Sequence, residues 1–314
     1  MKDTAAAPAK FQDPVLTARG EPRATVALSK PQTLWFNTGT LCNITCVNCY
    51  IESAPDNDRL VYLTESEVRD YLQQLRDRAW GVTEIGFTGG EPFMNPQIIG
   101  MIRAALETGH RALVLTNAMR PMMRPRVRAG LLDLRREHGD ALELRVSLDH
   151  WDAANHDAMR GAGAFDRTIE GMRWLRDHGF AMAVAGRTLW DETDARAREG
   201  YARLFAEEGF AIDARDPGAC VLFPEMDETV DVPEITTACW DILHKSPDSV
   251  MCASSRMVVR RKGAARPAVL ACTLLPYDPQ FELGETLEQA ERPVALNHPH
   301  CAKFCVLGGA SCSA

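Results

Sequence analysis

Three cysteines stand close together near the start of the chain, at Cys42, Cys46 and Cys49. They directly follow a short apolar run, Thr33–Asn37, which is typical of a buried strand and places them on the loop after it. Thiolates are the usual ligands of iron–sulfur clusters, and a [4Fe–4S] cluster normally takes four of them. Three thiolates without a fourth nearby predict a cluster with one iron open to another ligand. The alternative is a zinc site completed by a distant residue.

A second motif, Gly89-Gly90-Glu91, follows the next apolar run, Glu84–Thr88. Glycines let the backbone approach a ligand closely, and a glutamate accepts hydrogen bonds from an ammonium group. The simpler interpretation is a plain Gly-Gly turn before a helix. If the strands are parallel, ligands bind at their carboxyl ends, where this motif and the cysteine loop would both lie.

The carboxyl end holds five further cysteines in a segment with little apolar periodicity. These are Cys252, Cys272, Cys301, Cys305 and Cys312. A small module rarely folds without a cross-link or a bound metal. These five cysteines therefore predict a metal site in place of a hydrophobic core. A disulfide framework would better suit a short secreted chain. Cys220 and Cys239 are interpreted as packing cysteines, because free cysteine is among the most buried residue types.

Strand and helix patterns alternate through the middle of the chain, which predicts parallel strands joined by right-handed crossovers. The clearest helix is Thr64–Trp80, where Thr64 and Glu67 form a capping-box signature. The six predicted strands are Thr33–Asn37, Glu84–Thr88, Ala112–Asn117, Leu142–Leu148, Ala181–Ala185 and Ala219–Phe223.

Three regions follow from this pattern. Residues 1–31 are rich in Ala, Pro, Lys and Asp and predict a mobile tail. Residues 32–230 contain the alternating elements. In residues 231–314 the alternation stops, and the sequence predicts a helix at Pro233–His244, a hairpin from Arg256 to Cys272 and a cysteine-rich end.

Composition narrows the class of protein. The chain has 314 residues, of which 46% are hydrophobic, and a formal net charge of −8. That charge would repel a nucleic-acid backbone, so nucleic acid is not an expected partner. No run approaches the roughly 18 apolar residues of a membrane span, and the first residues lack the apolar block of a secretion signal. The expectation is a soluble, cytoplasmic protein without a membrane partner.

The cysteine spacing together with Gly89-Gly90-Glu91 resembles the radical S-adenosylmethionine (SAM) superfamily. The resemblance implies an α/β fold, a partial (β/α)6 TIM-like barrel. It also implies that the open iron binds the amino and carboxylate groups of SAM, while the Gly-Gly-Glu contacts the methionyl amino group. The implied reaction is reductive cleavage of SAM to a 5′-deoxyadenosyl radical, which abstracts hydrogen from a substrate carbon. A flavodoxin- or ferredoxin-type electron donor is then expected.

Later motifs, such as Val146-Ser-Leu-Asp149 and Arg160-Gly161, resemble the subgroup that carries extra clusters at its carboxyl end. In that subgroup the Ser147 position lies by the ribose of SAM. Asn117, Asp149 and Arg160 are further candidates, although polar residues at strand ends are often only caps or ion pairs. Arg187 is a candidate for the methionyl carboxylate, with a structural salt bridge as its alternative.

Two departures from the family pattern are visible. Many members have an aromatic residue just before the third cysteine, where this chain has Asn48, so an adenine contact is expected from Tyr50 or elsewhere. Subgroup members often have glycine after the Ser-Leu-Asp, where this chain has His150 and Trp151.

The carboxyl-terminal cysteines resemble a shortened auxiliary-cluster domain of the SPASM/twitch type, which holds one extra [4Fe–4S] cluster, making two in all. The expected ligands are Cys252, Cys272, Cys301 and Cys305, with Cys312 as a possible substitute. The alternative is an iron left open for substrate. His298 and His300 are interpreted as solvated neighbours, and a mixed Cys/His zinc site stays open.

These motifs do not identify the substrate. Peptide-modifying members of the subgroup often carry an amino-terminal leader-binding domain of about 80 residues, a usual size for a small domain. The region before Thr33 is too short for one. The expectation is therefore a small metabolite or a peptide delivered by a partner, with a ribosomal-peptide maturase as the alternative. A non-catalytic iron–sulfur or zinc protein is the alternative of another class.

Overall fold

A nine-stranded sheet forms the centre of the computed structural model, which describes residues 9–225, 227 and 229–308. The strands of the described residues are β1 (Thr25–Val26), β2 (Thr33–Asn37), β3 (Glu84–Thr88), β4 (Arg111–Thr116), β5 (Leu142–Ser147), β6 (Ala181–Arg187), β7 (Cys220–Phe223), β8 (Ser255–Val259), β9 (Ala268–Leu270), β10 (Glu282–Gly284) and β11 (Val294–Ala295). Strands β1 and β11 form a separate two-stranded sheet, and the other nine form the central one. The α-helices are α1 (Glu65–Arg78), α2 (Ile98–Glu107), α3 (Pro125–His138), α4 (Ala153–Arg160), α5 (Ala164–Asp177), α6 (Asp194–Glu208) and α7 (Cys239–Ile242).

The order of strands in this sheet is β10-β9-β8-β2-β3-β4-β5-β6-β7. From β2 to β7 each strand pairs in parallel with the next one along the chain. This is the arrangement of a partial (β/α)6 barrel, so the predicted fold class is confirmed. All carboxyl ends of these strands lie at one edge, where the loops that follow them meet.

The carboxyl-terminal module is joined to the barrel through its sheet. Strand β8 pairs in parallel with β2, with Trp35 opposite Met257, and β9 turns back antiparallel to β8. The predicted hairpin is present, and it extends the sheet across the expected boundary at residues 230 and 231. The module therefore shares backbone hydrogen bonds with the barrel.

Side chains on β5 alternate between the two faces of the barrel wall, as the period of a strand requires. Leu144 and Val146 are fully buried in the apolar core, whereas Arg145 and Ser147 line a cavity on the inner face. Helix α1 covers the outer face and begins at the predicted capping box, in which Thr64 and Glu67 each bond the other's backbone N–H.

Two predicted elements differ from the structure. The helix expected at Pro233–His244 is reduced to the single turn of α7, because Thr236 and the residues before it run beside the amino-terminal segment, where Arg23 bridges to Thr236. Helix α4 was not among the predicted helices. It begins at Asp152, whose side chain accepts a hydrogen bond from the backbone N–H of Asn155.

The expected mobile tail is wrong for residues 9–31. Strand β1 pairs antiparallel with β11, and Ala24 and Val26 are fully buried. The side chain of Arg23 is also fully buried and forms a 2.5 Å ion pair with Glu234. Residues 1–8 of the predicted tail lie outside the described residues. In the described part of the chain, every helix is too short or too polar to cross a membrane.

Candidate functional site

The three early cysteines line a cavity of about 620 Å³ at the carboxyl ends of the barrel strands. This cysteine-trio cavity is also lined by every other predicted cofactor residue except Glu91 and Asp149. Those residues are Tyr50, Gly89, Gly90, Asn117, Ser147 and Arg160, with Arg187 beside them. The cysteine loop after β2 and the ends of the four strands β3 to β6 therefore meet at one place.

The chemistry of this donor set fits a metal cluster. Burial is the main effect that raises the pKa of the Cys42 thiol to about 12, and burial also raises that of Cys46. Thiols in such surroundings become thiolates only where a cation compensates the buried charge. The three thiols would hold three irons of a [4Fe–4S] cluster and leave the rest of the cavity for a ligand of the fourth.

The two glycines allow the second loop to approach the cysteine loop. A Cβ on Gly90 would lie 2.3 Å from the backbone oxygen of Leu41, and one on Gly89 would lie 2.5 Å from that of Gly39. The backbone N–H of Gly90 donates to Gly39 at 2.8 Å. Any side chain at either glycine would push these loops apart, so the glycines shape the cavity through backbone packing.

Glu91 does not line the cavity. One carboxylate oxygen accepts hydrogen bonds from the Thr116 hydroxyl at 2.8 Å and the Phe93 N–H at 3.2 Å, and the other accepts from the Asn117 N–H at 2.9 Å. Burial raises the pKa of Glu91 to about 7, although these hydrogen bonds oppose the rise. The side chain thus ties the Gly-Gly loop to the end of β4 and places Asn117 at the cavity.

A buried group of charges forms one wall of the cavity. Asp149 accepts two hydrogen bonds from Arg160, at 2.7 and 3.0 Å, and lies 3.5 Å from the guanidinium of Arg187. Burial alone would raise the pKa of Asp149, but the charge and hydrogen bonds of Arg160 and the charge of Arg187 leave it below its usual value. Two positive charges thus face the cavity from a rigid position.

The loop of the third cysteine has an unusual backbone. Asn48 has a φ of 55°, in the left-handed region that asparagine tolerates better than most residues. The backbone oxygen of Asn48 accepts a 3.4 Å hydrogen bond from Arg187. Tyr50 lines both the cysteine-trio cavity and the cavity next to it.

A second cavity of about 710 Å³ adjoins the first and is called here the middle cavity. The two share Tyr50, Leu115, Ser147, Arg160 and Arg187. Its remaining lining is Arg145, Asp149, Ala185, Gly186, Phe223, Pro224, Leu274 and Phe304. The rings of Phe223 and Phe304 stack with their centroids 5.6 Å apart. The barrel and the carboxyl-terminal module therefore both contribute to its wall.

The carboxyl-terminal cysteines form a third site. Cys252, Cys272, Cys301 and Cys305 are each less than 10% exposed and line one cavity of about 340 Å³. Burial is the main effect that raises the pKa of Cys301 well above its ordinary value, and the neighbouring Cys252 and Cys272 add to it. Four thiols facing an almost wholly apolar cavity fit the ligand set of a second cluster.

The neighbours of this site differ in part from expectation. His300 is not solvated: it is 4% exposed and lines the carboxyl-terminal cavity, whereas His298 is half-buried and does not line it. Cys220 is fully buried, and neither it nor Cys239 lines one of these three cavities. Cys312 lies outside the described residues. In the described ranges, no three His, Cys, Asp or Glu side chains converge as ligands of a single metal ion.

Residues 36–199 match the model of the radical SAM superfamily, and the chain belongs to that superfamily. Membership of this superfamily implies a [4Fe–4S] cluster and SAM as cofactors.

Individual relatives match only part of the chain. The subtilosin biosynthesis protein AlbA of Bacillus subtilis is 28% identical over 172 residues, which are 52% of this chain and 36% of AlbA. An AdoMet-dependent heme synthase of Methanosarcina barkeri is 28% identical over 149 residues, 46% of this chain and 38% of that protein. The chain thus spans less than half the length of these relatives.

Among solved structures, the fold is similar to that of SuiB from Streptococcus suis bound to its precursor peptide SuiA. The TM-score is 0.61 at 14% sequence identity, covering 85% of this chain and 66% of that one. This likeness supports the fold.

Sequence reasoning missed the residues that join the sites. Leu274 and Phe304 line the middle cavity although they carry no chemical signal, and Arg145 lies inside a strand. Their one visible signal is position: Leu274 follows Cys272 by two residues, and Phe304 lies directly before Cys305. Arg145 could have been found from the alternation of β5, which places it on the same face as Ser147.

Proposed function

We propose that this chain is a radical SAM enzyme that modifies a peptide substrate, whose reacting side chain enters the middle cavity. The observation that carries the proposal is the position of this cavity. It shares Ser147, Arg160 and Arg187 with the cysteine-trio cavity, and it shares Leu274 with the carboxyl-terminal cavity. A group held there would lie between both cysteine sites.

Cys42, Cys46 and Cys49 would hold the first cluster, and the remaining lining of their cavity would hold SAM. When bound, these cofactors supply a 5′-deoxyadenosyl radical that removes a hydrogen atom from a substrate carbon. Ser147 would lie by the ribose, and Arg160 and Arg187, fixed by Asp149, would bind the methionyl carboxylate. Asn117, positioned by Glu91, and the backbone of Gly89 and Gly90 would complete the binding site for the methionyl end.

The residues of the middle cavity hold the substrate and keep water out. The stacked rings of Phe223 and Phe304, together with Leu115 and Leu274, give it a largely apolar wall. Arg145, which is 2% exposed, supplies a positive charge from the barrel interior. Excluding water and fixing the substrate carbon are the protein's contributions to such chemistry.

Two clusters are proposed, with residues 32–230 as the barrel that binds SAM and residues 231–314 as the auxiliary module. Cys252, Cys272, Cys301 and Cys305 would occupy all four irons of the auxiliary cluster. No iron would then be open to substrate, which favours a role in accepting an electron during net oxidation.

A peptide is favoured over a small metabolite as substrate. AlbA acts in the biosynthesis of a bacteriocin, and the structure of SuiB holds a precursor peptide. The heme synthase shows that other substrates occur among the relatives. Incubating reconstituted enzyme, SAM and reductant with a short peptide encoded beside its gene, and separately with a tetrapyrrole, tests this choice by mass spectrometry. A change in the tetrapyrrole but not in the peptide would contradict the peptide proposal.

The two cysteine sites predict different losses of function. Anaerobic reconstitution is expected to give about eight iron atoms per chain, from two clusters of four. Cys42→Ala is expected to abolish 5′-deoxyadenosine formation. The double variant Cys252→Ala/Cys272→Ala is expected to keep 5′-deoxyadenosine formation, retain about four irons and lose substrate conversion.

Cys239→Ala serves as the control, because Cys239 is half-buried and lines none of the three cavities. It is expected to keep both clusters and both activities. Cofactor cleavage in Cys42→Ala would overturn the assignment of the first cluster, and full substrate conversion in the double variant would overturn the need for the second.

A further inference from the structure

A surface groove of about 1110 Å³ runs along the outer side of the cysteine loop. Its lining combines an apolar floor with basic edges and contains no carboxylate. The lining residues are Asn43, Ile44, Met94, Met119, Arg120, Pro121, Arg124 and Arg167. None of them lines the cysteine-trio, middle or carboxyl-terminal cavity. The groove is therefore separate from the proposed substrate site.

The charge of this groove is opposite in sign to the net charge of the whole chain. The formal net charge is −8, yet Arg120, Arg124 and Arg167 are exposed and carry three positive charges here. Among the described residues, none of the three arginines forms an ion pair, while many other surface arginines do, such as Arg69 with Glu65. Arg124 donates hydrogen bonds to the backbone oxygens of Pro121 and Phe93, which fix it without neutralising it.

The groove lies directly against the proposed cluster ligands. Asn43 and Ile44 stand between Cys42 and Cys46, and the side-chain oxygen of Asn43 lies 4.0 Å from the sulfur of Cys42. That oxygen accepts a 2.9 Å hydrogen bond from Asn117, and the amide nitrogen of Asn43 lies 3.9 Å from the sulfur of Met119. One residue layer thus separates the groove from the first cluster site.

We propose that this basic groove docks an acidic one-electron carrier protein, which reduces the cluster held by Cys42, Cys46 and Cys49. In the docked pair the reduced carrier loses one electron and the cluster gains one, without atom transfer. The inference rests on the proposed function. Complementary charge steers such encounters, while the apolar floor of Met94, Met119 and Ile44 supplies contact area.

The position of the groove favours a carrier over an acidic peptide. A peptide substrate must reach the middle cavity, whose lining residues are distinct from those of the groove. A carrier needs only a short electron-transfer path to the cluster. The wall formed by Asn43 and Ile44, which stand between Cys42 and Cys46, provides such a path from the groove.

The test uses the reconstituted holoenzyme and an acidic flavodoxin as probe. The variant is Arg120→Glu/Arg167→Glu, and the control is Arg196→Glu/Arg215→Glu. The control reverses the charge of two exposed arginines that lie outside the groove and form no ion pair with a described residue. Binding of oxidised flavodoxin, followed by its flavin fluorescence at low and high salt, is a readout that needs no turnover.

We expect the groove variant to weaken flavodoxin binding at least about tenfold at low salt, with a smaller salt dependence, and to slow flavodoxin-driven 5′-deoxyadenosine formation similarly. The control variant should bind like the unaltered enzyme. Cleavage driven by dithionite, a small reductant that needs no docking site, should stay within about twofold in all three proteins. Arg124→Gln should weaken flavodoxin binding less than the double charge reversal.

Equal flavodoxin affinity in the groove and control variants would overturn the docking site, as would failure of the unaltered enzyme to bind flavodoxin. Loss of binding of an acidic precursor peptide, with flavodoxin binding unchanged, would assign the groove to the peptide. If dithionite yields no 5′-deoxyadenosine in any protein, the proposed function fails, while the binding measurement still decides the docking site.

Discussion

At the scale of single residues, the buried polar side chains behind the cysteine-trio cavity position its wall. His156 is fully buried on α4, and its Nδ1 accepts a 3.2 Å hydrogen bond from the backbone N–H of Asp149. Burial, with the nearby charge of Arg160 acting in the same direction, lowers the pKa of His156 to about 4. A neutral ring is required here, because a protonated Nδ1 would donate instead of accepting.

This histidine predicts a pH dependence of stability. The unfolded chain binds a proton at His156 below about pH 6.5, whereas the folded chain does so only near pH 4. Its contribution to stability is therefore complete above pH 6.5 and is lost as pH falls through that window, by up to about 1.4 kcal/mol per pH unit. In His156→Asn, which keeps an acceptor near Asp149, this slope should vanish.

The measurement is the difference in unfolding free energy between unaltered protein and His156→Asn at several pH values from 4 to 8. The difference should grow with pH up to about 6.5 and then stay constant. A difference that does not change with pH would contradict the neutral, buried histidine.

At the scale of elements, helix α5 holds the end of β4 in place. Gly171 faces the loop at Ala118, and a Cβ on Gly171 would lie 1.9 Å from the backbone oxygen of Ala118. The hydroxyl of Thr168, one turn earlier, donates to the backbone oxygen of Asn117 at 3.2 Å. The helix therefore fixes the backbone that presents Asn117 to the cavity.

Gly171→Ala is expected to destabilise the protein by about 1 to 3 kcal/mol, because overpacking against backbone outweighs the better helix propensity of alanine. It should also weaken SAM binding, since Asn117 would be displaced. The matched control is Gly100→Ala on α2, whose Cβ would meet only the end of the Glu65 side chain, which can swing away. Urea unfolding and SAM titration of both variants check this, and equal effects would contradict it.

At the scale of the whole molecule, the amino-terminal segment packs against the carboxyl-terminal module. The guanidinium of Arg23 bonds the backbone oxygens of Asp13, Leu16 and Leu296 as well as the carboxylate of Glu234. These partners come from three distant parts of the chain. A buried charge held by so many acceptors depends on all of them remaining in place.

Arg23→Met is therefore expected to cost about 3 kcal/mol of unfolding free energy, because Glu234 would be left buried without its cation. Lys10→Met is the control: Lys10 pairs with Asp231 on the surface, with side chains 41% and 86% exposed, so its loss should cost less than about 1 kcal/mol. Urea unfolding compares the two variants. Similar costs would mean that the Arg23 pair does not join the segments.

The local chemistry of the site was predictable from the sequence. Thiol type and spacing in Cys42, Cys46 and Cys49, the Gly-Gly motif and the alternating strands each depend on a few adjacent residues. Parallel strands then place the residues after each strand at one edge, so Asn117, Ser147 and Arg160 could be expected near the cysteines. The resemblance to an auxiliary-cluster domain grouped Cys252, Cys272, Cys301 and Cys305, with Cys312 as a substitute.

Only the tertiary structure decided features made by residues far apart in the chain. Glu91 turns to the end of β4 because Thr116 and Asn117 donate to it, and the segment around Arg23 is ordered by Glu234 and Leu296. The middle cavity and the basic groove likewise arise where separate loops meet. Motif and periodicity describe neighbours along the chain, whereas burial and pairing across space set which way each charged side chain faces.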